Sequence, residues 1–393
     1  MTTADVIVIG GGVNGASTLF HLAQAGVKNI VLVEQGHLAA GATGKSGALV
    51  RMHYTNPYET RLAYESLKIF KSWSAIVGGE CGYTATGFVQ VVAPAYEQEL
   101  RDTVAMQRAI GVEAEVISAQ ELHELEPGCR TDDLTYVAYE PGSGYADPIQ
   151  TCYGFVRRAE ELGARIATHT TVTGIRHAHG RVVGVDASTG PIDAPSVVFA
   201  GGAWSNQLLG RLGIDWGLRP NRLQVVIFRW PIAVGRGHMT FIDAINDTWF
   251  RPESNSGTLI GAEWIASEDT PDSYRETADP AAVASARARL VARFPGMAEA
   301  PMRGGWAGMV MMSPDGRPII DQVAGIDGLF VMVGDSGTSF KTSPAIGKCL
   351  AEWIVEGQPR TADLRPFRAA RFAEDNPWGE VATYGRVRRT VSR

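Results

Sequence analysis

The chain has 393 residues, of which 45% are hydrophobic and 20% charged, the balance of a soluble globular protein. That length suits about two domains. The formal charge of −6 argues against a nucleic-acid partner, because phosphate binding calls for a concentrated positive face. No window approaches the roughly 18 consecutive apolar residues of a spanning helix, so membrane insertion is not expected. Cys81, Cys129, Cys152 and Cys349 are scattered without a C-x-x-C pair. Such a pattern fits reduced thiols in a cytoplasmic enzyme better than a disulfide framework.

In chain order, "VIVIG" reads as a buried parallel strand, and Gly10, Gly12 and Gly15 then form a G-x-G-x-x-G. Ala16, Leu19, Phe20, Leu22 and Ala23 recur at helical spacing, and Gly26 ends the helix. A second buried strand, "NIVLVE", closes on Glu34, completing a βαβ unit with an acid at the end of its second strand. Gly10 permits the tight turn, Gly12 lets backbone approach a pyrophosphate, and Gly15 lets helix and strand pack closely. The helix N-terminus offers unpaired N–H groups to phosphate, and Glu34 is placed to accept from ribose hydroxyls. This fingerprint does not by itself separate NAD from FAD.

The next stretch, "HLAAGATGKSGALVRMHY", is rich in small residues and suits main chain lying along an extended ligand, as FAD is. Further on, "ATHTTVTGIRHAHGRVVGVDASTGPIDAP" reads as strands joined by "HG" and "TG" turns. "PSVVFAGGAWSNQLLG" follows as a strand, a double-glycine turn and a helix containing Trp204. Strands are also expected in "LQVVIFRW", "DTWFRP" and "GTLIGAEW". Near the end, a strand from Leu329 to Val333 leads through a Gly/Ser/Thr loop into a helix with Ile346, Leu350 and Ile354 on one face. Pro344 sits in its first turn.

Taken together, the fingerprint with Glu34, "ATGKSGALVR", "VVFAGGAWS", "WAGMVMMSPDGRPIID" and "GTSFKTSPAIG" resemble the FAD-dependent amine oxidoreductases related to D-amino-acid oxidase. The likeness is greatest to the branch of monomeric sarcosine oxidase, glycine oxidase and the sarcosine oxidase beta subunit. It implies an α/β fold in which a discontinuous Rossmann-type FAD domain (1–85, 146–218 and 306–375) is interleaved with an antiparallel-sheet substrate domain (86–145 and 219–305). A C-terminal tail, 376–393, exceeds what the FAD domain needs. The implied FAD contacts are Gly10, Gly12, Val13, Asn14, Gly15, Glu34 and Gln35 at the first turn, and Thr43, Gly44, Lys45, Ser46 and Gly47 in the following loop. Val172, Ala200, Gly201 and Trp204 come next, then Gly308, Gly334, Gly337, Thr338, Ser339, Phe340 and Lys341.

The implied reaction is two-electron oxidation of a C–H bond beside an amine nitrogen, giving an imine that water hydrolyses. The cofactor supplies the reactivity and the protein supplies orientation and electrostatics. Lys341 and Arg51 match the family's carboxylate-gripping cations. Glu263 stands where the family has a histidine; it either recognises a cationic amine or faces solvent on its strand. His53 and Tyr54 follow Arg51 closely enough to reach a pocket, or serve as hydrogen-bonded structural groups, as does His238. Leu259 replaces the family lysine associated with oxygen activation, which leaves O2, a quinone or a protein as electron acceptor. Gly308 takes the position of the family's flavin-linking cysteine, so non-covalent FAD is expected, with His53 the less favoured attachment point. No metal is expected: His177 and His179 have no third ligand at a suitable spacing. The substrate is expected to be a small amino acid, an N-substituted glycine-like secondary amine that passes hydride to flavin N5, with a 2-hydroxy acid or an NAD-dependent reaction as rivals. Self-association or a partner subunit stays open, as does a flavin subunit active only in a hetero-oligomer.

Overall fold

The structure, a computed structural model, describes residues 2–231, 237–254, 256–265, 270–376 and 383–384, with backbone only for 2 and 262–265. Most of the expected tail 376–393 therefore lies outside the described residues. The fold is mixed α/β and is built on three principal sheets. Strands Val6–Ile9 and Ile30–Val33 are apolar and buried at every position, as befits central strands covered on both faces. They lie in a six-stranded sheet ordered Ile319–Gln322, Leu329–Val333, Ser196–Phe199, Val6–Ile9, Ile30–Val33, Arg165–Ala167. All its neighbouring pairs are parallel except the antiparallel edge strand Ile319–Gln322.

Helix Val13–Gln24 covers this sheet together with Pro148–Glu161 and Ser343–Glu356. Its entry is tight. Gly10 has φ +109°, and a Cβ there would stand 2.3 Å from the Ala200 carbonyl oxygen. A Cβ on Gly15 would lie 2.0 Å from the Gly10 oxygen, so only glycine lets the helix start so close to the strand.

The second sheet has eight strands, ordered Met302–Met312, Arg219–Arg229, Gly257–Ile265, Thr248–Glu253, Thr240–Asp243, Phe88–Val91, Tyr136–Glu140, Glu115–Ser118. It is antiparallel apart from the pairing of Thr240–Asp243 with Phe88–Val91. Helix Pro280–Arg293 packs on it, burying Ala286 and Leu290 with Phe228, Phe241, Phe250 and Phe294. The residue 305/306 division expected from the sequence falls inside strand Met302–Met312, which pairs with Arg219–Arg229. A smaller four-stranded sheet holds Thr2–Thr3, Gly190–Asp193, Arg181–Ala187 and Val172–Ala178.

Buried ion pairs fasten the layers. Arg293, fully buried, donates to Asp243 at 2.7 Å and to Asp133 at 2.8 Å. Arg317 pairs with Glu59 at the start of helix Pro57–Lys71, where Asn56 caps the helix through the Glu59 N–H at 2.9 Å. The four cysteines are buried and unpaired. Among the described residues no helix is long and apolar enough to cross a membrane.

Two histidines are buried in neutral form. His238 sits among Phe241, Phe250 and Phe294, bonded to the Met239 carbonyl at 2.6 Å and the Thr258 hydroxyl at 2.7 Å. His21 packs on Phe20 and Phe155. Burial pulls each from an ordinary 6.5 down to about 4. Between those values the unfolded chain binds more protons than the folded one, so stability falls as pH falls. Acid titration monitored by circular dichroism should show about 3 kcal/mol lost per histidine across this window. His238→Asn should remove a large part of that acid sensitivity.

Candidate functional site

The first turn is knitted to the loop that follows the second strand. Glu34 accepts from the Gly11 N–H through Oε2 and from the Gly36 N–H through Oε1, both at 2.7 Å, leaving further lone pairs for a ligand. Gln35 beside it is exposed. The Val13 N–H donates to Thr43 Oγ1 at 3.0 Å, and the Gly44 N–H to the Ala39 oxygen at 2.9 Å, so residues 39–46 fold back over the helix N-terminus. Asn14 Nδ2 donates to Ser339 Oγ at 3.0 Å, and Ser339 Oγ donates to Asp335 Oδ2 at 2.7 Å. Asn14 Oδ1 is buried without a partner among the described residues.

These groups border a cavity of about 640 Å³. Val13, Asn14, Thr43, Lys45, Ser46 and Gly47 line it from the first half of the chain, and Gly337, Ser339, Phe340 and Lys341 from the last. Gly308 completes the wall, facing Lys45: a Cβ there would come within 3.0 Å of Lys45 Cβ. The second sheet contributes Leu223, Val225, Ile242, Thr248 and Trp249. Gly10, Gly12, Gly15, Ala200 and Gly201 stand behind this lining as the strand–helix crossing, and Val172 lies at the start of its strand. Trp204 Nε1 donates to Asp272 at 2.6 Å, tying a loop of the second sheet to the first. Gly334, with φ +61°, turns the chain from strand Leu329–Val333 into the cavity loop.

At the far end lie two buried cations. Lys341 Nζ donates to the Thr338 oxygen at 3.0 Å, and Tyr54 donates to the same oxygen at 3.0 Å. The Tyr54 ring lies between the cations, 5.1 Å from Lys341 Nζ and 4.8 Å from the Arg51 guanidinium. Arg51 follows strand Leu49–Val50, which is held by Gly144–Tyr145. Its Nη1 donates to the His53 carbonyl, while its Nε is buried without a partner among the described residues. Burial, reinforced by Arg51, holds the Lys341 ammonium well below its ordinary range, against the opposing pull of Glu59 and Asp335. Burial likewise raises Asp335, although Ser339, the Gly337 N–H and Lys341 oppose it. Two dry cations with donors to spare form a receptor for an anion, best a planar carboxylate.

His53 and Leu259 do not join this pair, and Arg251 serves the neighbouring loop. His53 stands behind Arg51, its Nε2 2.8 Å from the Tyr384 hydroxyl. Arg251 donates to the Gly47 oxygen at 2.6 Å and pairs with Glu253, bracing the loop. Leu259 is buried in its strand. Glu263 belongs to strand Gly257–Ile265, and its side chain lies outside the described residues. No group of His, Cys, Asp or Glu suited to a metal occurs among the described residues. Sequence patterns do not single out Asp335 or the apolar wall; the "GDSG" run flanking Asp335 is the one local signal available.

A glycine-lined crossing, the unpartnered Asn14 oxygen and a cavity joining a helix N-terminus to two cations fit an extended dinucleotide lying toward Lys341.

The family model described as FAD dependent oxidoreductase matches residues 5–353. The sarcosine oxidase subunit beta of Rhodobacter capsulatus is 26% identical over 388 residues, 96% of this chain and 92% of that protein. L-proline dehydrogenase from P. horikoshii superposes with a TM-score of 0.87 at 23% identity, covering 96% of this chain and all (100%) of that one. Glycine oxidase from Bacillus cereus gives a TM-score of 0.76 at 27% identity, with 90% and 96% covered.

An arriving carboxylate should raise the depressed Lys341 toward its ordinary value, so binding takes up a proton. Affinity for acetate should therefore fall as pH rises between the free and bound values, by up to about tenfold per pH unit. Calorimetry in buffers of different ionisation enthalpy would register that uptake, and Lys341→Met should abolish it.

Proposed function

This chain belongs to the FAD dependent oxidoreductase family, and on that premise we propose that it oxidises the C–N bond of a small amino acid. The preferred substrate is a secondary amine, an N-substituted glycine. The enzyme is a flavoprotein, and the FAD would supply, when bound, the acceptor for the two electrons that leave, as a hydride, the carbon next to nitrogen. What the chain's own residues do follows from their chemistry. The helix N-terminus at Val13 and Asn14 faces the pyrophosphate, with Thr43 and Ser46 beside it, and Glu34 accepts from the ribose hydroxyls.

Lys341 and Arg51 grip the substrate carboxylate, and the observation that carries this reading is their shared burial around Tyr54 with spare donors. Two-point attachment leaves the α-carbon one orientation, which is the larger part of what positioning contributes. The apolar wall from Leu223, Val225 and Ile242 keeps water away from that carbon. The deprotonated amine is the reactive form, and the positive charge at the carboxylate end favours that form over the ammonium. A substrate of this kind accords with the sarcosine and glycine named in two of the related proteins.

Gly308 in place of a thiol supports non-covalent FAD, so acid precipitation should release the dye into the supernatant. Leu259, apolar and fully buried, supports an acceptor other than O2. A relative that is a subunit supports a second reading, in which this chain works with partner chains. Turnover by the isolated chain with an artificial acceptor would dispose of it.

The deciding test is anaerobic bleaching of the flavin band with N-methyl amino acids, D-amino acids and 2-hydroxy acids in parallel. Bleaching by hydroxy acids alone would overturn the amine reading. Lys341→Met should raise KM for the amino acid by about tenfold to a hundredfold, the range of a hydrogen bond to a charged group. Arg51→Lys should also impair binding, since an ammonium cannot reproduce the guanidinium fork.

A further inference from the structure

His53, whose carbonyl takes Arg51 Nη1, is packed against a residue 331 positions away, Tyr384. The Thr383 and Tyr384 N–H groups both donate to Glu99 Oε2 at 2.9 Å. Glu99 lies in the first turn of helix Glu97–Ile110, against the second sheet. So anchored, Tyr384 is only 6% exposed, and its hydroxyl sits 2.8 Å from His53 Nε2. The two rings stack with centroids 5.9 Å apart and planes inclined by 25°. His53 in turn supplies the carbonyl that takes Arg51 Nη1. Phe88 forms a common floor, 6.4 Å from the His53 ring and 5.7 Å from the Arg51 guanidinium.

We propose that Tyr384 is a positioning residue for the carboxylate receptor: it fixes His53, and through the His53 carbonyl it sets the direction in which Arg51 presents its remaining donors. The proposal rests on the reading that Arg51 grips the substrate carboxylate. A guanidinium fork is effective only in one plane, since both N–H groups must meet both carboxylate oxygens. The Nη1 bond to His53 fixes one corner of that plane, and the Phe88 and Tyr54 faces bracket it. The corner is as steady as residue 53, whose ring is clamped by Tyr384. Tyr384 is not among the described residues that line the cavity, which places its action through His53.

The test uses the full chain carrying FAD and acetate as probe, read by its perturbation of the flavin absorption. Tyr384→Phe keeps the stack and deletes the hydroxyl. Glu99→Ala removes the acceptor of the Thr383 and Tyr384 N–H groups from outside, so the idea stays testable if the first variant folds poorly. Both should weaken acetate binding by about fivefold to tenfold, the loss expected of one or two hydrogen bonds. With the amino acid that bleaches the flavin, both should raise KM by a similar factor and change kcat less than about twofold, the signature of lost binding rather than lost chemistry. FAD affinity should stay at the wild-type value. Unchanged acetate affinity in both variants would overturn the proposal, as would an equal loss of FAD affinity, which marks general loosening. Arg51→Gln separates the two levels. If it leaves acetate binding intact, the carboxylate reading falls and Tyr384's role with it. If it abolishes binding while the other variants do not change it, only Tyr384's role falls.

Discussion

Two basic side chains, Lys341 and Arg51, are buried around one tyrosine ring, and the charge they would carry is left for a ligand to answer. Placing cations out of water costs several kcal/mol each unless an acceptor answers them. The surroundings resist collapse of that arrangement. Glu59 is occupied by Arg317, and Glu140 is occupied by the Met52 N–H, Ser143 and Gln107, so neither carboxylate swings in to neutralise the pair. Both acids still act at a distance, favouring the charged form of Arg51. The Thr338 carbonyl takes one proton from Lys341 and one from Tyr54, fixing where the remaining ammonium protons point. Much of the rigid packing around the cavity serves to keep an unfavourable charge distribution in place until an anion relieves it.

The nucleotide end of the site was legible because its requirements are local. A tight turn, a close helix–strand crossing and an acid at the end of the next strand each demand a residue type at a fixed offset. A Cβ on Gly15 would stand 2.0 Å from the Gly10 oxygen, and that exclusion is the physical content of the spacing. The burial of Lys341 and Arg51 on the cavity has no local signal, since a lysine in a loop and an arginine after a short strand carry no intrinsic mark of it, and the sequence singled them out only through resemblance.

The far wall was illegible for a different reason. Leu223, Val225, Ile242 and Trp249 read as ordinary strand residues, and only the register of the eight-stranded sheet turns them to one cavity. His238 shows the converse. Its isolated position invites a catalytic role, yet three phenylalanines and two hydrogen bonds make it part of the core. Tyr384 is the most distant case, because the bond to His53 joins residues 331 positions apart, and no pattern in either neighbourhood points to the other.

The Asn14–Ser339 hydrogen bond spans 325 positions, and the central strand Val6–Ile9 is flanked by Ile30–Val33 on one side and Ser196–Phe199 on the other. Leu329–Val333 joins only after that. On the ribosome the first βαβ unit therefore emerges long before the strands that shield it, and bare apolar edges wait for the rest of the chain. Synthesis at roughly 5–20 residues per second makes that wait tens of seconds. A topology of such high contact order folds slowly and exposes those edges to aggregation meanwhile. The nucleotide fingerprint is made well before strand Leu329–Val333 and the loop that carries Ser339 and Lys341, and the cradle it belongs to closes only when those residues are in place, so cofactor capture waits for them.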